Sequence, residues 1–162
     1  WTATGTWTWS SSANNADWTN SSSWAEASVP ANDGTADIVI TNTSGADYTS
    51  EIYEDWSINS LTLNGSGGAQ FNYVGPNSTT RTISIGSGGI SGTRQTGTER
   101  WHVLYPKITF TAANASIRTN SGGLMINQPS AVWWADLKSS SRICGPVRSG
   151  RACQPIASTP AQ

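Results

Sequence analysis

No lysine or arginine occurs between Trp1 and Thr80 of this 162-residue chain, although eight acids do: Asp17, Glu26, Asp33, Asp37, Asp47, Glu51, Glu54 and Asp55. A basic surface for nucleic acid has no material there, and the net charge of −1 gives no expectation of such a partner. Other scarcities exclude further classes. The whole chain has two lysines, one methionine and one histidine, so strong helix formers are thin on the ground. A zinc site needs at least three convergent ligands, and His102 has no second histidine to join it. No Gly-x-Ser-x-Gly elbow is present, so a serine hydrolase reading finds no anchor. No apolar run approaches the roughly 18 residues of a membrane helix. The longest apolar cluster is Ala131-Val132-Trp133-Trp134-Ala135, and insertion into a membrane is not expected.

What is abundant is Ser (24), Thr (20), Asn (12) and Gly (16), together 72 of 162 residues, alongside nine Trp and four Tyr. Small polar residues at this level indicate either a disordered linker or a β-protein with many turns. Large aromatics are depleted in disordered chains, and Thr, Val, Ile and Trp fit pleated, half-buried surfaces. The composition therefore predicts an all-β fold. The first residue is Trp1 and not Met, as expected of a chain whose leader has been removed.

Apolar alternations recur as Ile38-Val39-Ile40, Leu61-Thr62-Leu63, Ile83-Ser84-Ile85, Ile108-Thr109-Phe110 and Leu124-Met125-Ile126. Their starts fall at positions 38, 61, 83, 108 and 124, so the successive steps are 23, 22, 25 and 16. Gly- and Asn-rich clusters separate them: residues 64–68, 86–89 and 120–123. Repeats of this length, divided by residues that reach positive φ, match coils of a β-solenoid. A second echo, Glu54-Asp55-Trp56-Ser57-Ile58 against Glu99-Arg100-Trp101-His102-Val103, predicts that Trp56 and Trp101 lie two coils apart on one side. The competing fold is an antiparallel β-sandwich with strands every 8–12 residues or so, for which Leu63 and Phe71 across a Gly-rich turn would be a hairpin.

Three segments follow. Residues 1–30 hold Trp1, Trp7, Trp9, Trp18 and Trp24 and read as a cap over the first coil, because one end of a stack otherwise exposes a raw apolar coil. Residues 31–128 form the solenoid. Residues 129–162 lose strand periodicity after an apolar island at 131–137, and read as an irregular basic tail, wrapped on the surface or non-native in origin. Within that tail, Cys144 and Cys153 enclose a short loop without further metal ligands. A disulfide closing this loop, in an oxidising compartment, is expected; free buried thiols are the alternative. Residues 81–162 carry nine bases and two acids, +7 against −8 for positions 1–80. The difference is either incidental or the basis of a dipolar surface or head-to-tail self-association.

The stretch from Thr6 to about Asn127 resembles the N-terminal region of autotransporter-associated β-strand repeat proteins, bacterial surface passengers. The resemblance is carried by Thr6-Trp7-Thr8-Trp9, Asp17-Trp18-Thr19, Ser23-Trp24, Val29-Pro30, the run from Asp33 to Ile40, Ile58-Asn59-Ser60-Leu61-Thr62-Leu63, and the run from Ile83 to Ile90. It implies a right-handed parallel β-helix, export to the bacterial cell surface, and a role in adhesion or display, with no catalytic residues. The chain departs from that pattern after Gln128, where further Gly-rich repeats are missing, as in a truncated passenger.

Candidate chemistry is sparse. Glu51, Glu54 and Asp55 cluster among Tyr48, Tyr53 and Trp56, and are the best pair for glycoside cleavage, which needs two carboxylates at a set separation in an aromatic cleft. His102 would be the base of any triad and reads instead as a strand residue. Asp33 and Asp37 flank a turn, where carboxylates either cap the backbone or hold calcium, the one cofactor to be considered. Trp7, Trp9, Trp18, Trp24, Trp56 and Trp101 are the candidates for stacking on sugar rings. The leading expectation is a non-catalytic structural or adhesive surface module. The alternative is a carbohydrate-active β-helix, binder or weak hydrolase.

Overall fold

The apolar alternations pair side by side and in parallel, coil upon coil. The computed structural model describes residues 5–10, 15–42, 48–65, 72–75, 81–93, 101–120, 123–128, 131–136, 142–143 and 154–155. The strands are β1 (Thr6–Thr8), β2 (Ala16–Asp17), β3 (Asp37–Asn42), β4 (Tyr48–Glu51), β5 (Trp56–Gly65), β6 (Asn72–Val74), β7 (Thr82–Thr93), β8 (Trp101–Leu104), β9 (Lys107–Phe110), β10 (Ile117–Asn120), β11 (Gly123–Gln128), β12 (Ala131–Asp136), β13 (Arg142–Ile143) and β14 (Gln154–Pro155). The first sheet runs β1-β3-β5-β7-β10, with β9 also on β7; the second runs β2-β4-β6-β8-β11-β12. Each coil thus gives one strand to each sheet before the chain climbs to the next, and the fold is a β-solenoid.

The sandwich alternative fails on pairing. Leu61 lies beside Ile38 and Ile90 in parallel register, and β5 and β6 belong to different sheets. The core follows from strand alternation, since period 2 sends every second side chain inward. In β3 the buried Ile38, Ile40 and Asn42 alternate with half-buried Asp37, Val39 and Thr41. Ile38, Ile40, Leu61, Leu63, Ile83, Ile85, Ile90 and Leu124 fill the interior, each worth about 1.5–3 kcal/mol in transfer from water.

The coils are not uniform, and several expectations need correction. Leu61 stacks on Ile90 and not on Ile83, which stacks instead on Trp56. The cause is β7, a 12-residue strand that passes a corner, with a register shift against β5 between Ile58 and Ser60. At that corner Gly89 has φ +71, and a Cβ there would collide with the Ser116 carbonyl oxygen, so only glycine fits. Nor do Trp56 and Trp101 share a side: Trp56 pairs with Ile83 in the first sheet, Trp101 with Gly123 in the second. Phe110, expected inward, is 40% exposed, because β9 lies at the end of its stack and pairs only with β7 among the described residues.

The Trp-rich opening closes the first end. Trp9, Trp18 and Trp24 are buried with Trp56, and their rings meet edge to face, with centroids 4.9 Å apart for Trp9–Trp24, 5.7 Å for Trp18–Trp24 and 5.2 Å for Trp18–Trp56. This sets the positive edge of one ring on the negative face of the next. The chain over residues 20–28 turns back over β1: Ala25 donates its backbone N–H to Thr8 O (2.8 Å), and both Glu26 carboxylate oxygens accept from the Thr8 N–H (3.0 and 2.9 Å). The open edge of the first strand is thereby occupied. The apolar island of the tail is β12, antiparallel to β11. Trp1, Phe71, Cys144, Cys153 and the loop between the two cysteines lie outside the described residues.

Candidate functional site

Three of the acids singled out from sequence, Asp33, Glu54 and Asp55, lie at the corner where each coil leaves the second sheet and enters the first. Asn32 organises it. Its Oδ1 accepts the Ser57 backbone N–H at 2.6 Å, and its Nδ2 donates to the Asp55 carbonyl at 3.0 Å and to Glu54 Oε1 at 3.4 Å. One coil further, Asp55 Oδ1 accepts the Thr82 N–H at 2.8 Å. One coil beyond that, Lys107 donates its backbone N–H to Arg81 O at 2.8 Å. Asn32-Asp33, Glu54-Asp55, Arg81 and Lys107 therefore stack as successive steps of one column, and all six side chains are exposed.

The other carboxylates act likewise. Asp33 Oδ1 accepts from the Thr35 N–H (3.1 Å) and hydroxyl (2.6 Å), a turn closed by its own side chain. Asp37 Oδ1 accepts from Asn59 Nδ2 (2.8 Å) and Ser60 Oγ (2.5 Å) on the next coil, and Asn59 Oδ1 accepts the Gly88 N–H (3.2 Å) on the coil after it. Asp33 and Asp37 thus serve different donors, and among the described residues no group of three or more His, Cys, Asp or Glu could hold a metal ion.

Glu51 stands on β4 and accepts a hydrogen bond from the Tyr53 hydroxyl. That bond, and then the Glu51 charge, hold the Tyr53 phenol above its ordinary pKa of 10.0. His102 is inside the solenoid, not at this corner. It is buried, its Nε2 lies 3.1 Å from Thr93 O, and a Cβ at Gly92 would come within 3.4 Å of its ring. The imidazole thus packs against the backbone of Gly92 at ordinary contact distance. His102 and the corner acids are therefore not brought together as a catalytic set.

The stacking candidates are corrected by burial. Trp9, Trp18, Trp24 and Trp56 expose 0–2% of their surface, so none offers a ring face to a sugar. Trp7 is half-buried against the core, with Nε1 donating to Ser28 Oγ at 3.2 Å. Trp101 is placed on β8 by its backbone, and its side chain lies outside the described residues. Sequence reasoning missed Asn32, Asn59 and Asn64, which tie coil to coil. Their signal is faint: Asn32 and Asn64 each precede a Gly turn, and Asn59 sits on the polar face of an otherwise apolar alternation.

No protein-family model matches the chain, and no curated protein or solved structure shows significant similarity to it.

Proposed function

We propose that this chain is a structural and adhesive module of a bacterial surface protein, an exported, capped β-solenoid of the autotransporter-passenger kind that works by shape and contact, without catalysis. The observation that carries this reading is the use made of the corner acids. Asp55 bonds to the backbone of the next coil and Glu54 to Asn32 of the preceding one. Glycoside cleavage asks for two carboxylates held apart across a cleft; these are engaged in bracing an exposed corner.

The adhesive part of the reading rests on the outer face of the first sheet. Registered in columns there are Thr62 and Ser91, whose hydroxyls are 3.0 Å apart, and Thr41, Asn64 and Thr93, with Asn64 Nδ2 3.4 Å from Thr41 Oγ1. Neighbouring strands repeat about every 4.8 Å, giving a ladder of hydroxyls and amides, flanked by Val39 beside Thr62 and by the exposed Arg118 beside Ser91, that suits a polysaccharide. Binding at about the millimolar level, about −4 kcal/mol, is expected with soluble polysaccharides by calorimetry, and Thr62→Arg should abolish it. Reducing ends should not accumulate. Product release that disappears in Glu54→Gln would overturn the non-catalytic reading.

A further inference from the structure

The column at the coil corner is sorted by charge along the stack. Asp33 stands on its first step, Glu54 and Asp55 on the second, Arg81 on the third and Lys107 on the fourth, all exposed. With parallel coils spaced about 4.8 Å apart, these four steps span about 14 Å. The column's acidic steps all come from the half of the sequence that lacks Lys and Arg, and its basic steps from the other half. Beside the column stands Tyr53, 53% exposed and one of three large apolar side chains left exposed among the described residues. Tyrosine is the kind of residue that concentrates in the middle of protein interfaces.

A ridge running from acid to base is complementary to itself when turned end for end. A two-fold axis perpendicular to the stack, passing between the second and third steps, sets Asp33 of one copy against Lys107 of the other. It sets Glu54 and Asp55 against Arg81, and repeats both contacts by symmetry. We propose that two copies of this chain associate side by side and antiparallel through this ridge, as an isologous pair. Such an interface closes on itself at two subunits, whereas a head-to-tail arrangement would grow into fibres. The Trp cap also argues against end-to-end stacking, because residues 20–28 already occupy the outer edge of β1. Exposed ion pairs contribute little each and are screened by salt, so the pair is weak and reversible. The proposal does not depend on the glycan reading.

The test is sedimentation velocity of the full chain over a range of concentrations at about 0.1 M and about 1 M salt, where the Debye length falls from about 10 Å to about 3 Å. The expected result is a monomer–dimer equilibrium whose association constant drops at least about tenfold at the higher salt. Arg81→Glu with Lys107→Glu should leave a monomer, as should Asp33→Lys with Glu54→Lys. An equimolar mixture of the two double variants should pair again, because an all-acid ridge then meets a basic one. Circular dichroism of each variant checks that the β-fold is retained. If the acid-side variant does not fold, the salt response of the wild type and the base-side variant still decide. A monomer at both salt concentrations, association strengthened by salt, assemblies growing past the dimer, or failure of two folded variants to pair on mixing would each overturn the proposal.

Discussion

The two ends of the stack are finished differently. At the first, Trp9, Trp18, Trp24 and Trp56 are buried, and a return segment fills the edge of β1. At the second, β12 folds back antiparallel on β11, at the edge of the second sheet. On the first sheet, β9 and β10 pair with no strand beyond β7 among the described residues, and Phe110 stands 40% exposed. Closing an end therefore takes bulk on one side and a strand reversal on the other. The aromatic solution is demanding about shape. The indole N–H groups of Trp9, Trp18 and Trp56 are buried without an acceptor among the described residues, each costing about 1–3 kcal/mol, and the apolar contact of the rings has to outweigh that.

Substitutions can break this contrast, starting with the largest effect. Trp18→Ala removes a fully buried ring that touches both Trp24 and Trp56. It should cost about 3–5 kcal/mol, seen as a drop in the urea midpoint. A loss of less than about a third of that would mean that the cap is not what secures this end. β13 and β14 pair antiparallel as Arg142↔Pro155 and Ile143↔Gln154, and the sequence leads us to expect a disulfide between Cys144 and Cys153. A bridge there should stabilise by about 2–3 kcal/mol on the loop-entropy model. Mass spectrometry of alkylated, non-reduced protein checks it, and two labelled thiols would refute it.

Phe110→Ser should change stability by less than about 0.5 kcal/mol, as for exposed positions generally, and should raise solubility. A loss of several kcal/mol would mean that Phe110 is covered and that the second end is closed after all. The smallest effect is electrostatic. The Glu51 carboxylate raises the Tyr53 pKa, so the neutral phenol is the favoured form in the fold. The sign follows: this contribution is intact below the phenol's ordinary pKa and is lost as pH climbs through the raised one. Ultraviolet titration should show Tyr53 ionising later in wild type than in Glu51→Gln.

Much of the fold is legible in the sequence. Ile38 stacks on Leu61, and Ile83 on Ile108, as their recurrence predicts. The alternation in each strand identifies its inward residues. What alternation does not encode is which sheet a strand joins, because every strand has period 2 whatever its neighbours. Turn lengths vary freely on the surface, so a fixed step aligns Leu61 with Ile83 across the corner that Gly89 makes in β7. The same blindness puts Trp56 and Trp101 on one side. The acids are legible as a cluster, but their employment is not: only the fold reveals that Asp55 faces the Thr82 N–H and that Asn32 holds Ser57. Capping accounts for the buried tryptophans, yet their number also suggests stacking faces, which edge-to-face contact within the cap removes.

The parallel ladders have a mechanical consequence. Hydrogen bonds between strands lie across the strands, so in a stack of coils they point roughly along its length. Tension applied between the two ends pulls on these bonds one coil at a time, as a zipper opens, and the load is never shared by a whole ladder in shear. The polar ties from Asp37 through Asn59 to Gly88, and from Asn32 through Asp55 to Thr82, run in the same direction as the pull. They act as rivets between layers, so that the chain extends under force in discrete steps of one coil.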